Sequence, residues 1–518
     1  MRCLIRTMPL WGIERPNKMQ ALIYEDVIIG SGPNGWAAAK GVWARKGSPL
    51  IIDIGHTPQI VSGESVIRNP KTVPKTLFGS DFMYRFPTSK VNLQLPDVTI
   101  PLTGALGGLS TVWGSGIQPV SIHDLSGVPA WCVADWLESS RQLLLDIDYL
   151  GRDDLLSQRD PWPVTPHDTV VLSNRFSKIL KRADEKFGRK KTAVVYGSPR
   201  LAIRGSANKI RPNACTVCGE CMIGCRENSI FDAGRELKTA LSRNGGDYLE
   251  GLVTKVSDEN GIAEIQVSLS DGTEQKIYAR RVYLAAGPIG TPVLLQRSGL
   301  LPQRVVVHDS QMFVGGFWAR DKVDKKKPFM TTSQGYFSTS VGELTDQEFS
   351  MSVYENSEEL KIALRGLLPK PFKGITSIIA PVFSRLVPGI GFLAQEVSGS
   401  IVIDYDGQRT VISTVPNPRT PKALKLANRK IRNAGSRIGL FSIPNPFSKL
   451  DVGSGFHSGA GLPMGDAPNS LVNWFGQLIA FKALHIVDAS SLPRIRAGSH
   501  TFMAMANAYR IAVKRESH

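Results

Sequence analysis

Apolar and polar residues are arranged in two ways along the chain, and together they predict a mixed α/β protein. Near the amino terminus, a short strand predicted to be buried, Asp26 to Ile29, leads into a glycine-rich turn, an alanine-rich stretch and a second apolar run ending at Asp53. This succession is typical of strand, helix and strand in a parallel sheet. Residues 310–360 and 397–415 instead contain short strands separated by polar turns, which predict an antiparallel sheet.

The turn after the first strand has glycines spaced as in a dinucleotide-binding loop. Gly30 permits the tight turn, Gly32 lets the backbone approach a pyrophosphate, and Gly35 allows the helix to pack closely on the strand. The helix N-terminus would offer free amides to the phosphates. Asp53 is placed where a carboxylate can accept hydrogen bonds from a ribose. A glycine turn with a purely structural purpose is the alternative, but the order of strand, turn, helix, strand and acid favours dinucleotide binding.

Two segments near the carboxyl end contain histidines in glycine-rich surroundings: "GFHSGAGLPMG" (455–465) and "LHIVDASSLPRIRAGSHTFMAMANAYRIAVK" (484–514). With the glycine loop and "RVYLAAGPIGTPVLLQRSGL" (281–300), they resemble the glucose–methanol–choline (GMC) oxidoreductase family of FAD enzymes. The resemblance implies an α/β fold, α+β overall, in which a Rossmann-like FAD domain is interleaved with an antiparallel-sheet substrate domain. The FAD domain would comprise 20–300, with a cysteine-rich insertion at 211–237, and 446–518. The substrate domain would comprise 301–445.

The resemblance also implies roles for His457 and His500, which lie 43 residues apart. Oxidation of a CH–OH group removes the hydroxyl proton while a hydride leaves the carbon for flavin N5. Histidine suits the proton transfer because its ordinary pKa is about 6.5. His457 would be the base, and His500 would orient the substrate oxygen. A single histidine is more often structural, as we expect for His485. Ser499 is expected to cap the helix that begins near Thr501.

The segment "GALGGLSTVWGSGIQP" (104–119) is similar to the pyranose oxidase branch and to related sugar dehydrogenases. In pyranose oxidase this segment contains the histidine that bonds covalently to the flavin, whereas this chain has Val112 near that place. We therefore expect noncovalent FAD. The candidate cofactor-binding residues are Gly30, Gly32, Gly35, Asp53, Gly107, Gly108, Ser110, Val253, Asp488 and Ala489.

Four of the six cysteines, Cys215, Cys218, Cys221 and Cys225, are spaced C-x2-C-x2-C-x3-C. Bacterial ferredoxins present thiolates to an iron–sulfur cluster with such spacing. In bacterial FAD-dependent sugar dehydrogenases of the family, a cysteine-rich insertion at about this place holds a cluster, so the resemblance implies a 3Fe-4S or 4Fe-4S centre. A zinc site and reduced cysteines without metal stay open as alternatives.

The remaining composition bears on partners and location. The net charge of +17 is spread without a basic stripe, which makes nucleic acid an unfavoured partner. Few cysteines and an amino terminus without an uninterrupted apolar core predict a cytoplasmic protein. The segment 366–394 is apolar, with basic residues and no acid, and is either a peripheral membrane contact or a lid or core segment. Its charged residues are Lys370, Lys373 and Arg385.

The sequence thus predicts an FAD-dependent oxidoreductase acting on a CH–OH group of a sugar or sugar-like alcohol. A dehydrogenase is favoured, with electrons leaving through the iron–sulfur cluster to a quinone, cytochrome or other carrier. The alternatives are an oxidase that uses oxygen, with structural cysteines, and a redox-neutral flavin epimerase. The alternative outside enzymes is a membrane-surface or nucleic-acid-binding protein on a flavin fold.

Overall fold

A computed structural model describes residues 22–55, 86–120, 124–159, 161, 163–188, 194–205, 213–221, 225, 227–324, 327–340, 342, 344–345, 348–356, 384–443 and 448–514. The first eighteen residues of the predicted membrane-contact segment, including Lys370 and Lys373, lie outside the described residues. The rest of that segment contains a strand.

The helices of the described chain are α1 (Pro33–Ala44), α2 (Ala130–Asp146), α3 (Leu155–Arg159), α4 (Asn174–Phe187), α5 (Ala233–Asn244), α6 (Gly287–Arg297), α7 (Thr420–Ile438) and α8 (Thr501–Val513). The strands are β1 (Ile23–Ile29), β2 (Leu50–Asp53), β3 (Leu93–Gln94), β4 (Val194–Gly197), β5 (Asp247–Glu259), β6 (Ile262–Leu269), β7 (Glu274–Leu284), β8 (Arg304–Asp309), β9 (Met312–Ala319), β10 (Ser333–Ser340), β11 (Glu348–Tyr354), β12 (Leu386–Phe392), β13 (Ser400–Tyr405), β14 (Thr410–Val415), β15 (Leu440–Ser442), β16 (Ser448–Lys449), β17 (Ser458–Gly459) and β18 (Leu484–Ile486). No helix among these is long and apolar enough to span a bilayer.

The amino-terminal strand lies inside a six-stranded mixed sheet. β1 pairs in parallel with β2 on one side and β7 on the other, and β5 and β18 extend these pairings in parallel. β6 connects β5 and β7 in an antiparallel arrangement. The apolar run of β1 is buried because α1 and α8 pack closely together over the sheet. This confirms the predicted α/β class with a Rossmann-like core.

Close packing of α1 on α8 depends on a residue without a side chain. A Cβ at Gly41 of α1 would lie 2.8 Å from both the Ala512 side chain and the Tyr509 carbonyl oxygen of α8. The first and last helices of the fold therefore meet through small residues. This contact places the N-terminus of α8, directly after His500, at the same edge of the sheet as the glycine-rich turn.

A seven-stranded antiparallel sheet has the order β15-β9-β12-β11-β10-β4, with β16 also paired to β9. One face packs on α4 and α7 through Phe313, Phe317, Phe337, Phe349 and Met351, among others. A Cβ at Gly391 would lie 2.2 Å from the Phe313 ring, so glycine in β12 makes room for this core. β4 and α4 come from before residue 200, so this sheet recruits elements from the first predicted domain.

A third, five-stranded sheet has the order β17-β8-β13-β14-β3. The strands predicted at 310–360 and 397–415 are present, but they divide between the seven-stranded and five-stranded sheets. Register between distant segments decides this division, and the local pattern does not encode it. In the five-stranded sheet, β17 pairs with the end of β8 and so fixes the residue that follows His457.

Candidate active site

A cavity of about 950 Å³ is lined by residues of the six-stranded and seven-stranded sheets. Its walls include the carboxyl ends of β1 and β2, the 104–118 segment, one face of the seven-stranded sheet, and both histidine loops. Eight of the ten predicted cofactor-binding residues line it: Gly30, Gly32, Asp53, Gly108, Ser110, Val253, Asp488 and Ala489. Gly35 and Gly107 lie behind this wall.

The three glycines of the first turn have different surroundings. Gly30 has a φ of +106°, and a Cβ there would lie 2.4 Å from the Ala285 carbonyl oxygen. A Cβ at Gly35 would lie 1.9 Å from the Gly30 carbonyl oxygen, which explains the need for glycine where α1 packs on β1. At Gly32 the nearest atom would be 3.9 Å away, at the Gly108 Cα. The space beside the Gly32 backbone is therefore open to the cavity. This fits the close approach of a pyrophosphate to the backbone.

Asp53, at the end of β2, fixes the loops on both sides of it. Its Oδ2 accepts a hydrogen bond of 2.7 Å from the Ser31 amide, and its Oδ1 accepts one of 2.8 Å from the Gly55 amide. Burial raises the pKa of this carboxyl to about 6. The Ser31 side chain also hydrogen bonds to this carboxylate, which leaves an acceptor position for a ribose hydroxyl.

The 104–119 segment is attached to the glycine loop by hydrogen bonds. The Gly107 amide donates to Ser31 Oγ at 2.8 Å, and Ser110 Oγ donates to the Gly107 carbonyl at 2.6 Å. Gly107 also lies against α5, since a Cβ there would be 2.7 Å from the Gly234 amide nitrogen. Gly107 thus supports the wall while Gly108 and Ser110 form it.

Asp488 follows β18 and uses its carboxylate inside the protein. Its Oδ2 accepts from the Gly287 amide at 2.9 Å and from Thr291 Oγ1 at 2.5 Å, and Oδ1 accepts from the Ser490 amide at 2.8 Å. These bonds fix the first turn of α6 beside the end of β7. The open glycine cradle, the parallel strand ends and the acid on β2 together fit the dinucleotide part of FAD.

His457 and His500 meet in the cavity wall with their ring centroids 5.5 Å apart. His500 Nε2 lies 3.1 Å from the Ser458 carbonyl oxygen, which can only accept, so Nε2 bears the proton. The ring of Phe392 lies 4.3 Å from that of His457. The two segments, whose histidines are 43 residues apart in the sequence, therefore bring two imidazole rings into contact in the cavity wall.

The electrostatic surroundings keep both imidazoles neutral. Burial, with a further contribution from His500, lowers the pKa of His457 well below its ordinary value. Burial also lowers the pKa of His500 to about 4. A neutral imidazole can accept a proton from a hydroxyl group near neutral pH, and the lowered pKa makes it a weaker base than a free histidine.

The loop that bears His457 is fixed by a residue that sequence reasoning missed. Asp309, fully buried at the end of β8, accepts a hydrogen bond of 2.9 Å from the Gly453 amide. The next residue, Ser310, donates its amide to the His457 carbonyl at 2.9 Å. Burial raises the pKa of Asp309 to about 6. No local motif surrounds it, so only the tertiary structure could reveal this role.

The predicted cap of the last helix is wrong. Residue His500 occupies the N-cap position of α8, without a capping side chain. The hydroxyl of Ser499 instead donates to the Gly116 carbonyl at 2.6 Å and so attaches the histidine loop to the 104–119 segment. His485 lies in β18 beside Tyr283 and does not line the cavity, as expected of a structural histidine.

The cysteine-rich segment lies beside the cavity. Cys215 and Cys221 pack on an apolar cluster formed by Leu150, Val170, Leu201, Ile203 and Met330, whereas Cys218 is exposed. The Cys221 amide donates to Thr331 Oγ1 at 3.1 Å, and Thr331 lines the cavity. Burial raises the pKa of Cys215 to about 11, and the other three thiols act in the same direction. In the part of the chain that is described, no three His, Cys, Asp or Glu side chains form a group that could hold a metal ion.

Comparisons with known proteins agree with this geometry. A family model described as GMC oxidoreductase matches residues 178–312. Two uncharacterized GMC-type oxidoreductases of Mycobacterium tuberculosis, from strains CDC 1551 / Oshkosh and ATCC 25618 / H37Rv, are each 26% identical over 302 residues. These matches cover 56% of this chain and 42% of the relatives, so the chain spans less than half the length of the curated relatives it matches.

These matches support the GMC oxidoreductase family. Among solved structures, pyridoxine 4-oxidase from Mesorbium loti superposes with a TM-score of 0.59 and 17% sequence identity. The superposition covers 96% of this chain and 99% of that one, and at this identity it shows the fold. GMC enzymes use FAD, in agreement with the dinucleotide cradle. The comparisons do not distinguish the sugar dehydrogenase and pyranose oxidase branches.

Proposed function

We propose that this GMC-type protein oxidises the CH–OH group of an alcohol with FAD. The observation that carries the proposal is the meeting of His457 and His500 in the wall of the cavity that also contains the glycine cradle. Bound FAD would supply the hydride acceptor.

Each imidazole has a distinct task in the proposed reaction. His457, held neutral by burial, accepts the hydroxyl proton of the substrate. His500 is oriented by its hydrogen bond to the Ser458 carbonyl, and in the proposed reaction it holds the substrate oxygen beside His457. The N-terminus of α8 also lies at the cavity, where its dipole favours nearby negative charge.

We propose a sugar or sugar-like alcohol as substrate and a dehydrogenase as the type of enzyme. Hydroxyl side chains in the cavity wall, described below, support the first point. The dehydrogenase proposal depends on an iron–sulfur cluster that would take electrons from the flavin, and two hydrogen bonds to thiol sulfurs support it. The Val217 amide donates to Cys215 Sγ at 3.4 Å, and the Ser229 amide donates to Cys225 Sγ at 3.2 Å. Such bonds are typical of iron–sulfur ligands. In their described positions the four thiols do not form a metal-binding group, and iron analysis of the purified protein tests the cluster.

The oxidase, the epimerase and a non-catalytic protein use or retain the same cavity, and flavin content with flavin reoxidation separates the oxidase and the non-catalytic protein from a dehydrogenase. The purified protein should contain FAD that acid or heat releases from the polypeptide. An anaerobic panel of sugars, sugar alcohols and simple alcohols should include at least one compound that bleaches the flavin. Protein without flavin would favour the non-catalytic alternative, and bleached enzyme that reoxidises rapidly in air would favour the oxidase.

The cytoplasmic location and the peripheral membrane contact through 366–394 stay proposals. In the described part of that segment, Arg385 donates to the Ala319 and Arg320 carbonyls, so its charge is partly engaged within the protein. The double variant Lys370→Glu with Lys373→Glu, which leaves Arg385 unchanged, therefore tests the membrane contact with less risk of disturbing the fold. Wild-type protein should sediment with anionic vesicles and the double variant should not.

A further inference from the structure

The seven-stranded sheet presents one face to the cavity and the other to α4 and α7. In β11 the core-facing residues Phe349, Met351 and Val353 alternate with Ser350, Ser352 and Tyr354, which line the cavity. In β12 the cavity-facing residues are instead Pro388, Ile390 and Phe392. Since successive side chains of a strand point to opposite faces, each strand contributes one uniform row to the cavity wall.

The strand register joins these rows into a wall of two chemical kinds. Ser350 pairs with Phe392, which pairs with Met312 of β9. Ser352 pairs with Ile390, which pairs with Val314 of β9. Residues directly opposite in paired strands share a face, so both lines across the sheet change from hydroxyl to hydrocarbon at the β11–β12 boundary.

The hydroxyl half extends to β10. Tyr336 pairs with Ser352 in the register and hydrogen bonds with Ser350. Neighbouring strands are about 4.8 Å apart, so two strands span roughly the width of one six-membered ring. Each half of the wall therefore has the size of a ring-sized portion of a ligand.

His457 and His500 lie next to the boundary between the hydroxyl half and the apolar half of the cavity wall. The His457 ring contacts Phe392, the first apolar residue beyond the hydroxyl strand, with 4.3 Å between the ring centroids. The His500 loop touches the hydroxyl half, because a Cβ at Gly498 would lie 2.6 Å from Ser350 Oγ. A reacting carbon held near both imidazoles would thus have hydroxyl side chains on one side and hydrocarbon side chains on the other.

We infer that the substrate is an amphiphilic alcohol, with a hydroxyl-rich part on β10 and β11 and an apolar part on β12 and β9. This inference rests on the proposed function, since it places the ligand by the two histidines. It narrows the substrate class from sugars in general to hydroxylated rings that bear an apolar substituent. A free sugar would leave the side chains of Ile390 and Val314 in contact with water.

Binding without turnover tests the inference. Holoenzyme reduced with dithionite cannot accept a hydride, so calorimetry can measure the dissociation constants of reacting ligands. The probes are D-glucose, D-galactose and D-mannose, each as the free sugar and as the phenyl β-glycoside. We expect at least one phenyl glycoside to bind about 10- to 100-fold more tightly than its free sugar, from burial of the ring.

Two variants separate the halves. Ile390→Asn should weaken the phenyl glycoside about 10-fold or more and leave the free sugar within about 2-fold, because only the apolar contact is lost. Ser352→Ala should weaken both ligands by a similar factor of about 5, the loss of one hydrogen bond. Ser338→Ala, in a hydroxyl position of β10 that does not line the cavity, and Val306→Asn, at an exposed position of β8, are the matched controls and should change neither constant.

The inference is overturned when no phenyl glycoside binds more tightly than its sugar, or when Ile390→Asn weakens both ligands equally. It is also overturned when Ile390→Asn releases FAD, because β12 would then contact the cofactor. Bleaching of the flavin in the oxidised enzyme is a separate measurement, and it tests the proposed function. Tight glycoside binding without bleaching by any alcohol would contradict the proposed function and leave the amphiphilic site standing.

Discussion

Two glycines of the same turn should respond to alanine in opposite ways. Gly32 has a φ of −62° and a ψ of −177°, which any residue adopts, and a Cβ there would meet no protein atom closer than 3.9 Å. Gly32→Ala should therefore leave the apoprotein as stable as wild type, or more stable by up to about 1 kcal/mol through the unfolded state. At Gly35, a Cβ would lie 1.9 Å from the Gly30 carbonyl oxygen, which is backbone and cannot move aside cheaply.

The magnitudes follow from these distances. Gly35→Ala should cost about 3 kcal/mol or more of folding free energy, since overpacking against backbone forces α1 away from β1. Gly32→Ala should instead weaken FAD binding by about 10- to 150-fold, because the methyl group keeps the phosphates from one amide whose charge-assisted hydrogen bond contributes about 1.5–3 kcal/mol. The loss of folding free energy and the loss of FAD affinity can therefore be measured separately for two glycines of the same loop.

Urea unfolding of the apoproteins measures the first effect, and quenching of flavin fluorescence on reconstitution measures the second. The reasoning is refuted when Gly32→Ala binds FAD like wild type, since the cradle would then not face the phosphates. It is refuted equally when Gly32→Ala destabilises the apoprotein as much as Gly35→Ala does.

Three further expectations follow from the site and its supports. Because burial lowers the pKa of His457 far below 6.5, and protonation as pH falls would inactivate the base, the rate of flavin reduction should be constant from about pH 9 to pH 6; a stopped-flow profile with an apparent pKa of 7 or above would contradict this. Anaerobically purified protein should contain iron, and Cys218→Ser should lose both the iron and dye-coupled turnover while substrate still bleaches the flavin; iron-free wild type that turns over equally well would make the cysteines structural. Glu355→Ala should cost about 3–5 kcal/mol in urea unfolding, because it leaves the fully buried Arg175 guanidinium without its ion-pair partner, and a loss under 1 kcal/mol would show that the pair is dispensable.

The parts of the fold that sequence predicted are those with local causes. The requirement for glycine at Gly35 is local, because a side chain there would meet the Gly30 carbonyl oxygen five positions earlier, whereas Gly30 also lies against Ala285 from a distant strand. The meeting of His457 with His500 was predicted through the family resemblance, and the structure brings them together. The cap expected from Ser499 was wrong because a distant acceptor, the Gly116 carbonyl, lies within reach of its hydroxyl.

Only one of the two parts of the cavity wall, the hydroxyl part, could be predicted from the sequence. The alternation of Phe349, Ser350, Met351 and Ser352 is visible in the sequence and indicates a strand with a polar face. Its apposition to Ile390 and Phe392 depends on a register between segments some forty residues apart, which no local pattern specifies. The buried carboxyl of Asp309 was missed for the same reason, since its partner Gly453 is 144 residues away.

Anaerobic stopped-flow reduction of the bound flavin by a bleaching alcohol tests the central claim most directly. His457→Ala should retain FAD and reduce it about 100- to 10,000-fold more slowly than wild type, and His500→Ala should cause a smaller loss. His308→Ala, a half-buried histidine of β8 that does not line the cavity, is the control and should react like wild type. Wild-type rates of flavin reduction in both His457→Ala and His500→Ala, with FAD still bound, would contradict the account.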